Sequence, residues 1–320
     1  MLLAIGNDST NEFGAFEAIR KEVQKKDSDI VLFRQDKCLD GEYVTFSVKD
    51  NIPRFQLIVD GKVYEADEFT AVLYLHPHLP KSLLAYDPAE HAQFIHRQFL
   101  ELRRGLWRAL MEKKWLNNLW AIQAAENKIN QLLIATQIGM NVPRTLITSD
   151  PQKVREFYSS CNDRIITKIL IPSPILDHVI YTQMVSENDL QHIDSVRLCP
   201  SIFQAYIEKK HELRITVVGD KIFCAKINSQ ENQETAVDWR RKPKLNDYSV
   251  RMEESQVPKS VSEKIKFFMK MIGLQYGCID MIVTPSGEYI FLEINPSGQW
   301  YFVQLQTEMK IASAIVDLLM

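Results

Sequence analysis

Near the carboxyl end, two apolar runs carry oxygen-bearing side chains. Gly277-Cys278-Ile279-Asp280 leads through Thr284-Pro285-Ser286-Gly287-Glu288 into Phe291-Leu292-Glu293-Ile294-Asn295-Pro296. A charge inside a buried strand is costly unless paired or metal-bound. With a two-residue hairpin loop at Ser286-Gly287, Asp280 falls opposite Glu293. Asn295 then shares the Glu293 face, because strand side chains repeat every second residue. Opposed carboxylates repel, and a hard divalent cation between them removes that repulsion. Three oxygens on one face suit Mg²⁺, which takes carboxylates, waters and substrate phosphates. The bland alternative is one carboxylate capped by backbone N–H groups and the other paired to an arginine.

Three further groups could do chemistry. Lys168 sits mid-run in Ile165-Ile166-Thr167-Lys168-Ile169-Leu170, and Lys128 lies on the helix that precedes Gly139. A lysine among apolar neighbours needs an anion, either a nucleotide phosphate or an internal carboxylate. Ser201-Ile202-Phe203-Gln204-Ala205-Tyr206-Ile207-Glu208-Lys209 is an apolar strand with a charged end. Its edge can offer backbone groups to an adenine and a carboxylate to a ribose, or it is a plain core strand. Glu212-x-Arg214 and Asp238-Trp239-Arg240-Arg241 supply arginines, which either pair at the surface or stabilise charge that develops during phosphoryl or acyl transfer.

The chain that must position these groups has 320 residues, 46% hydrophobic and 25% charged, with a net charge of -3. That is ordinary globular composition, enough for two or three domains, and too balanced for nucleic acid to be the main partner. No G-x-G and no G-x-x-x-x-G-K-[ST] occurs, which excludes the dinucleotide fingerprint and the P-loop. The five cysteines (Cys38, Cys161, Cys199, Cys224, Cys278) have no zinc-ligand spacing and read as buried thiols of a reducing compartment. Residues 1–5 read as a buried strand and not a signal peptide. No apolar run reaches the roughly 18 residues of a membrane span. No membrane partner is expected, and a cytoplasmic location is.

The first ~75 residues alternate β and α patterns. They comprise strands at 1–5 and 29–33, a helix over 11–26 with Phe13, Phe16, Ile19 and Val23 inward, a hairpin turning at Asp60-Gly61, and a strand at 70–75. Asp87-Pro88 opens a helix to about Lys114 that bears Arg97, Arg103, Arg104 and Arg108. These arginines form either a solvated face or a basic groove for an acidic partner. Residues 115–120 read as a linker, 121–138 as one helix closed by Gly139, and Asp150-Pro151 as another helix start. Strands follow at 144–148, 164–170, 179–182, 201–207, 213–218, 221–228, 277–284 and 289–295, then a helix at 309–319. His76-Pro77-His78 and His91/His96 fit no single metal-binding face and read as structural. The fold class is α/β followed by α+β.

In order, the lysine helix, lysine strand, edge strand ending in Glu, arginines, Asp and Glu-x-Asn resemble the ATP-grasp fold. Ala125-Glu126-Asn127-Lys128, Gln131-Leu132, Pro143-Arg144-Thr145, Thr167-Lys168, Phe203-Gln204, Glu212-Leu213-Arg214, Ser229-Gln230, Asp238-Trp239-Arg240, Tyr276-Gly277, Asp280 and Phe291 through Trp300 together resemble the microviridin-type macrocyclases. These are the ATP-grasp ligases of graspetide (omega-ester-containing peptide) biosynthesis. The likeness is strong over about 115–320; the N-terminal part fits the family's α/β pre-grasp domain in pattern only.

The resemblance implies a pre-grasp domain at 1–118, a central subdomain at 119–200 and a C-terminal subdomain at 201–320. It implies ATP and Mg²⁺ as cofactors and a ribosomally made precursor peptide with a leader as partner; a homodimer stays open. Lys128 and Lys168 would hold phosphates. Gln204, Ala205, Tyr206 and Ile207 would form the adenine hinge, with Glu208 on the ribose. Asp280, Glu293 and Asn295 would bind Mg²⁺, and Arg214 and Arg240 would sit over the transferred phosphate. Glu212 would either orient Arg214 or take the nucleophile's proton. The implied reaction closes ω-ester or ω-amide rings between Asp/Glu and Ser/Thr or Lys side chains. Two alternatives remain open, a ligase that adds an amino acid to a carboxylate and a non-catalytic ATP-binding regulator. Ile169–Gln183 contains no glycine, where many ATP-grasp proteins have a glycine-containing phosphate loop; Pro172-Ser173-Pro174 stands there.

Overall fold

The computed structural model describes residues 1–11, 14–85, 88–171, 180–231, 235–241 and 250–320. Two compact units emerge. The first comprises Met1–Leu119, Gln299–Tyr301 and Lys310–Met320; the second comprises Trp120–Gly298 and Phe302–Met309.

The first unit contains β1 (Leu2–Gly6), α1 (Ala15–Gln24), β2 (Ile30–Arg34), β3 (Tyr43–Lys49), β4 (Ile52–Val59), β5 (Lys62–Glu65), β6 (Ala71–Tyr74), α2 (Ala89–Ala109) and β7 (Lys114–Leu116). A parallel sheet runs β2-β1-β6-β7, and an antiparallel sheet runs β3-β4-β5. The β4–β5 turn is made by Asp60 (φ 47°) and Gly61 (φ 75°), the paired positive φ that a type I′ hairpin needs. Leu3, Ile5, Phe33, Leu57, Phe69, Val72, Leu106 and Leu110 form the core of this unit.

Next come α3 (Leu119–Glu126), α4 (Lys128–Gln137), β8 (Thr145–Thr148), α5 (Pro151–Ser160), β9 (Ile165–Lys168), β10 (Gln183–Met184), α6 (Glu187–Gln191) and β11 (Ser201–Ala205). They are followed by β12 (His211–Val218), β13 (Lys221–Ile227), β14 (Met252–Ser255), α7 (Lys259–Ile272), β15 (Tyr276–Val283), β16 (Tyr289–Asn295), α8 (Tyr301–Thr307) and α9 (Ile311–Leu319). A four-stranded sheet runs β10-β9-β11-β8 and a five-stranded sheet runs β14-β13-β12-β15-β16, every pair antiparallel. Each sheet has a core face. Phe203 and Ile165 pack with Val154 and Tyr158 beneath the first. Leu213, Ile215, Val217, Ile279, Met281 and Phe291 pack with α7 and α4 residues beneath the second. Phe268 and Phe291 meet there with ring centroids 4.9 Å apart.

The mixed α/β and α+β class matches the sequence expectation, with local differences. Residues 115–120 are not a linker, because Lys114–Leu116 forms β7 beside β6. The helix expected over 121–138 is two helices. Asn127 breaks it by accepting from the N–H groups of Ile129 and Asn130 through its own side chain, the geometry of an N-cap. Helix α2 ends at Ala109, short of Lys114. Strands β3 and β14 and helix α7 fall where no element is expected. Of the cysteines, only Cys224 and Cys278 are buried; Cys199 is exposed. Phe13, Asp87, Pro172-Ser173-Pro174 and Val179 lie outside the described residues. Among the described residues no helix is long and apolar enough to cross a membrane.

Candidate active site

The face of the five-stranded sheet away from its core carries the charged residues. In β12, Leu213 and Ile215 point to the core, so Glu212, Arg214 and Thr216 point the other way. In β15 the same alternation turns Asp280 outward between Ile279 and Met281. Cross-strand register sets Arg214 beside Asp280, and Asp280 beside Glu293.

Reaching that row requires a bulge. The loop of the β15–β16 hairpin is Pro285-Ser286-Gly287, three residues and not two. Thr284 and Glu288 close it, and Gly287 lies at φ 86°. A three-residue loop alone would misalign Asp280 and Glu293 by one position. The pairing shifts between Asp280 and Met281, leaving Leu292 as an extra residue on β16. Phe291 and Ile294, three apart, therefore both face the core, while Glu293 and Asn295 share the outer face. The hairpin count reaches the right pair because two offsets cancel.

Arg214 Nη1 donates to both Asp280 oxygens, at 3.1 and 3.0 Å. Burial alone would lower the Arg214 pKa, but Asp280 raises it overall. Burial pushes the Asp280 carboxyl up against the pull of Arg214. Lys128 Nζ lies 3.0 Å from Glu293 and donates to the Ile169 carbonyl at 3.3 Å. Lys168 Nζ lies 3.9 Å from the same carboxylate, so the two sheets meet here. Burial opposes ionisation of Glu293, yet Lys168 and Lys128 pull its carboxyl down to about 2. Lys168 itself is lowered by burial. Asn295 Oδ1 accepts from the Ser297 N–H at 3.1 Å.

Asp238 is buried and takes a fork from Arg240, Nε at 2.9 Å and Nη2 at 2.7 Å, together with the Thr182 N–H. Hydrogen bonding to Asp238 raises the Arg240 pKa. Glu212 does not meet Arg214. Its carboxylate accepts from Lys209 Nζ at 2.8 Å, both side chains being almost fully buried. Burial raises the Glu212 carboxyl despite Lys209.

On the four-stranded sheet, Lys168, Gln204 and Thr145 share the face opposite Phe203. Gln204 Nε2 donates to Thr145 Oγ1 at 2.9 Å, and its buried Oε1 has no partner. The Ala205 and Tyr206 N–H groups are already bonded, to the Arg144 and Arg164 carbonyls. Of the expected hinge residues after Gln204, only the Ile207 N–H is unengaged among the described residues. Glu208 is exposed and pairs with Arg164 at 3.0 Å.

Three residues without an expected role hold this arrangement. Gln131 clamps β16 to α4 by donating to the Ile294 carbonyl and accepting from the Ile294 N–H, both at 2.9 Å. Lys209 supports Glu212. At Gly298 a Cβ would stand 2.6 Å from Cys278 Cβ and 3.0 Å from Arg214 Nη2, and the Gly298 carbonyl accepts from Tyr276. Gln131 and Gly298 stand among the motifs that carry the family resemblance but with no role of their own, and Lys209 looks like a surface residue in sequence. Among the described residues, no three His, Cys, Asp or Glu side chains gather into a metal cluster. The candidate oxygens are two carboxylates and one amide.

A model of the RimK-like ATP-grasp domain matches residues 125–319. That is more than half of the chain, which belongs to this family and is an ATP-grasp ligase. Among solved structures, macrocyclase MdnC from Microcystis aeruginosa, bound with precursor peptide MdnA, is 29% identical. The alignment covers 99% of this chain and 98% of that one, with a TM-score of 0.88. A RiPP-associated ATP-grasp ligase of Chryseobacterium gregarium, in complex with ADP and a leader and core peptide, is 25% identical, covering 99% and 96%, with a TM-score of 0.84. Macrocyclase MdnB of Microcystis aeruginosa is 27% identical, covering 99% and 98%, with a TM-score of 0.81. No curated protein matches significantly.

Proposed function

We propose that the chain closes rings in a ribosomally made peptide by ATP-dependent activation of its acidic side chains. The carrying observation is the Arg214–Asp280–Glu293 row facing Lys128 and Lys168. ATP transfers its γ-phosphoryl group to an Asp or Glu carboxylate of the peptide, releasing ADP. A Ser/Thr hydroxyl or Lys amine of the same peptide attacks the acyl carbon, phosphate leaves, and an ω-ester or ω-amide remains. Holding both peptide groups in one site makes the attack effectively intramolecular.

The four-stranded sheet, which takes in β11 from beyond residue 200, and the five-stranded sheet would form the two sides of the nucleotide cleft, and 1–118 would be the pre-grasp domain. Lys128 and Lys168, which now share Glu293, would turn to phosphates. Gln204 and the Ile207 N–H would meet the adenine; Ala205 and Tyr206 would supply carbonyls and apolar surface, and Glu208 would reach the ribose by leaving Arg164. Arg214 and Arg240 would stabilise charge on the transferred group. Of the two roles open to Glu212, proton acceptor fits better, since its carboxylate meets Lys209 and not Arg214. Two carboxylates abreast with an amide on the same face fit a hard divalent cation. Asp280, Glu293 and Asn295 would hold Mg²⁺, which supplies charge neutralisation on the phosphoryl oxygens.

The test uses the purified chain, ATP, MgCl₂ and a short acidic precursor peptide with Ser, Thr or Lys near its Asp and Glu residues. Each ring should remove one water mass from the peptide and form one ADP. No mass loss and no ADP would refute the ring-forming role, and a mass gain would point to amino-acid addition. Asp280→Ala or Glu293→Ala should reduce turnover by about 10²–10³-fold or more. Unchanged turnover in both would remove the metal assignment.

A further inference from the structure

Helix α2 carries four arginines, and the structure sorts them. Arg97 and Arg108 are exposed, and exposed Arg104 meets Glu101. Arg103 turns inward. Its Nη1 donates to Gln35 Oε1 at 3.2 Å, and its guanidinium lies 4.5 Å from the centroid of the Trp107 ring. Among the described residues no carboxylate lies within ion-pair reach of it, and its Nε is buried without an acceptor. Trp107, one turn along the same face, also has a buried N–H without an acceptor. A half-buried cation whose buried Nε has no acceptor is costly until an anion arrives, and burial already lowers the Arg103 pKa.

Arg103 lines a groove whose apolar wall is Phe33, Val44, Leu79, Phe99 and Leu102. Glu42 also reaches this groove but is committed to Arg34, accepting from its backbone N–H at 2.5 Å and from its guanidinium. It leaves Arg103 uncompensated. Strand β3, which supplies Val44, is the outer strand of its sheet. Its free edge can take the backbone of an extended chain.

We propose that this groove binds an acidic peptide segment, with a Glu or Asp carboxylate on Arg103 and the adjoining apolar side chain against Phe33, Leu79, Phe99 and Leu102. The peptide nature of the partner rests on the ligase reading above, whereas the carboxylate follows from Arg103. The site lies wholly in the first unit, among residues with no assigned part in nucleotide chemistry.

Calorimetry on the full chain without ATP tests it, with acetyl-Leu-Phe-Glu-Phe-Leu-amide against its Gln counterpart. The Glu peptide should bind at least about tenfold more tightly. Arg103→Met, which keeps the stem over Trp107, should abolish the preference while leaving ATP binding intact. Should that variant melt early, Arg103→Lys, which keeps the charge and loses the fork, should reduce the preference instead. Equal binding of the two peptides, or a preference that survives Arg103→Met, would overturn the proposal. So would 3-phenylpropanoate binding as tightly as the Glu peptide, or a dimer in light scattering that Arg103→Met dissolves. Ring formation with no Glu preference sinks the groove alone; a Glu preference with no ring formation sinks the ligase alone.

Discussion

On the five-stranded sheet the charged groups meet one another: Arg214 with Asp280 at 3.0 and 3.1 Å, and Glu212 with Lys209 at 2.8 Å. Across the cleft, the four-stranded sheet holds Lys168 at 3.9 Å from Glu293 and a buried Gln204 oxygen with no partner. Arg214–Asp280 and Glu212–Lys209 are thus completed pairs, whereas Lys168 and Gln204 are left with unfinished contacts. Completed pairs in a dry setting resist reorganisation and suit charge stabilisation during group transfer. Unfinished contacts carry an energetic penalty until a ligand supplies the missing atoms, and they suit binding.

Breaking a completed pair should therefore cost folding stability, and the largest loss is expected at Lys209. Lys209→Met leaves the buried Glu212 carboxylate without its cation and should destabilise the fold by about 3–5 kcal/mol, read by urea unfolding. A loss below measurement error would mean that the pair is not buried in solution. Gly298→Ala drives a Cβ into Cys278 and Arg214. It should cost about 1–3 kcal/mol and lower turnover by moving the Arg214 fork; full stability with full turnover would show that the backbone there has room to move. On the other sheet the loss should fall mainly on the ligand. Lys168→Met removes a cation that burial disfavours and leaves Glu293 to Lys128, so the free protein should lose less stability than with Lys209→Met, while ATP affinity falls by at least about tenfold, roughly 1.4 kcal/mol. A destabilised fold with unchanged ATP affinity would erase the distinction between the sheets.

Much of the site's layout was legible where local rules operate. The period-two pattern and the Ser286-Gly287 turn signal face Asp280 toward Glu293, but only because the longer loop and the bulge offset each other. The bulge at Leu292 was not legible, because an apolar residue gives no local sign that it stands unpaired. Asn127 shows the opposite failure: an N-cap residue was present, but continuous apolar spacing on both sides of it reads as one helix. Strand β7 is three residues long and owes its existence to β6, a partner no short window contains. The occupied N–H groups of Ala205 and Tyr206 depend on carbonyls at 144 and 164. Lys209 belongs to the site through a partner set by the turn before β12, so its type does not announce it; Gln131 stands in a quoted motif, but its clamp on Ile294 depends on the packing of α4.

The most direct test of the central claim follows oxygen. A peptide whose Asp and Glu side chains carry heavy oxygen should, when converted with ATP, hand one labelled oxygen to inorganic phosphate for every ring closed. That result requires a carboxyl–phosphate intermediate formed in the cleft between the two sheets. Rings accompanied by unlabelled phosphate would contradict it.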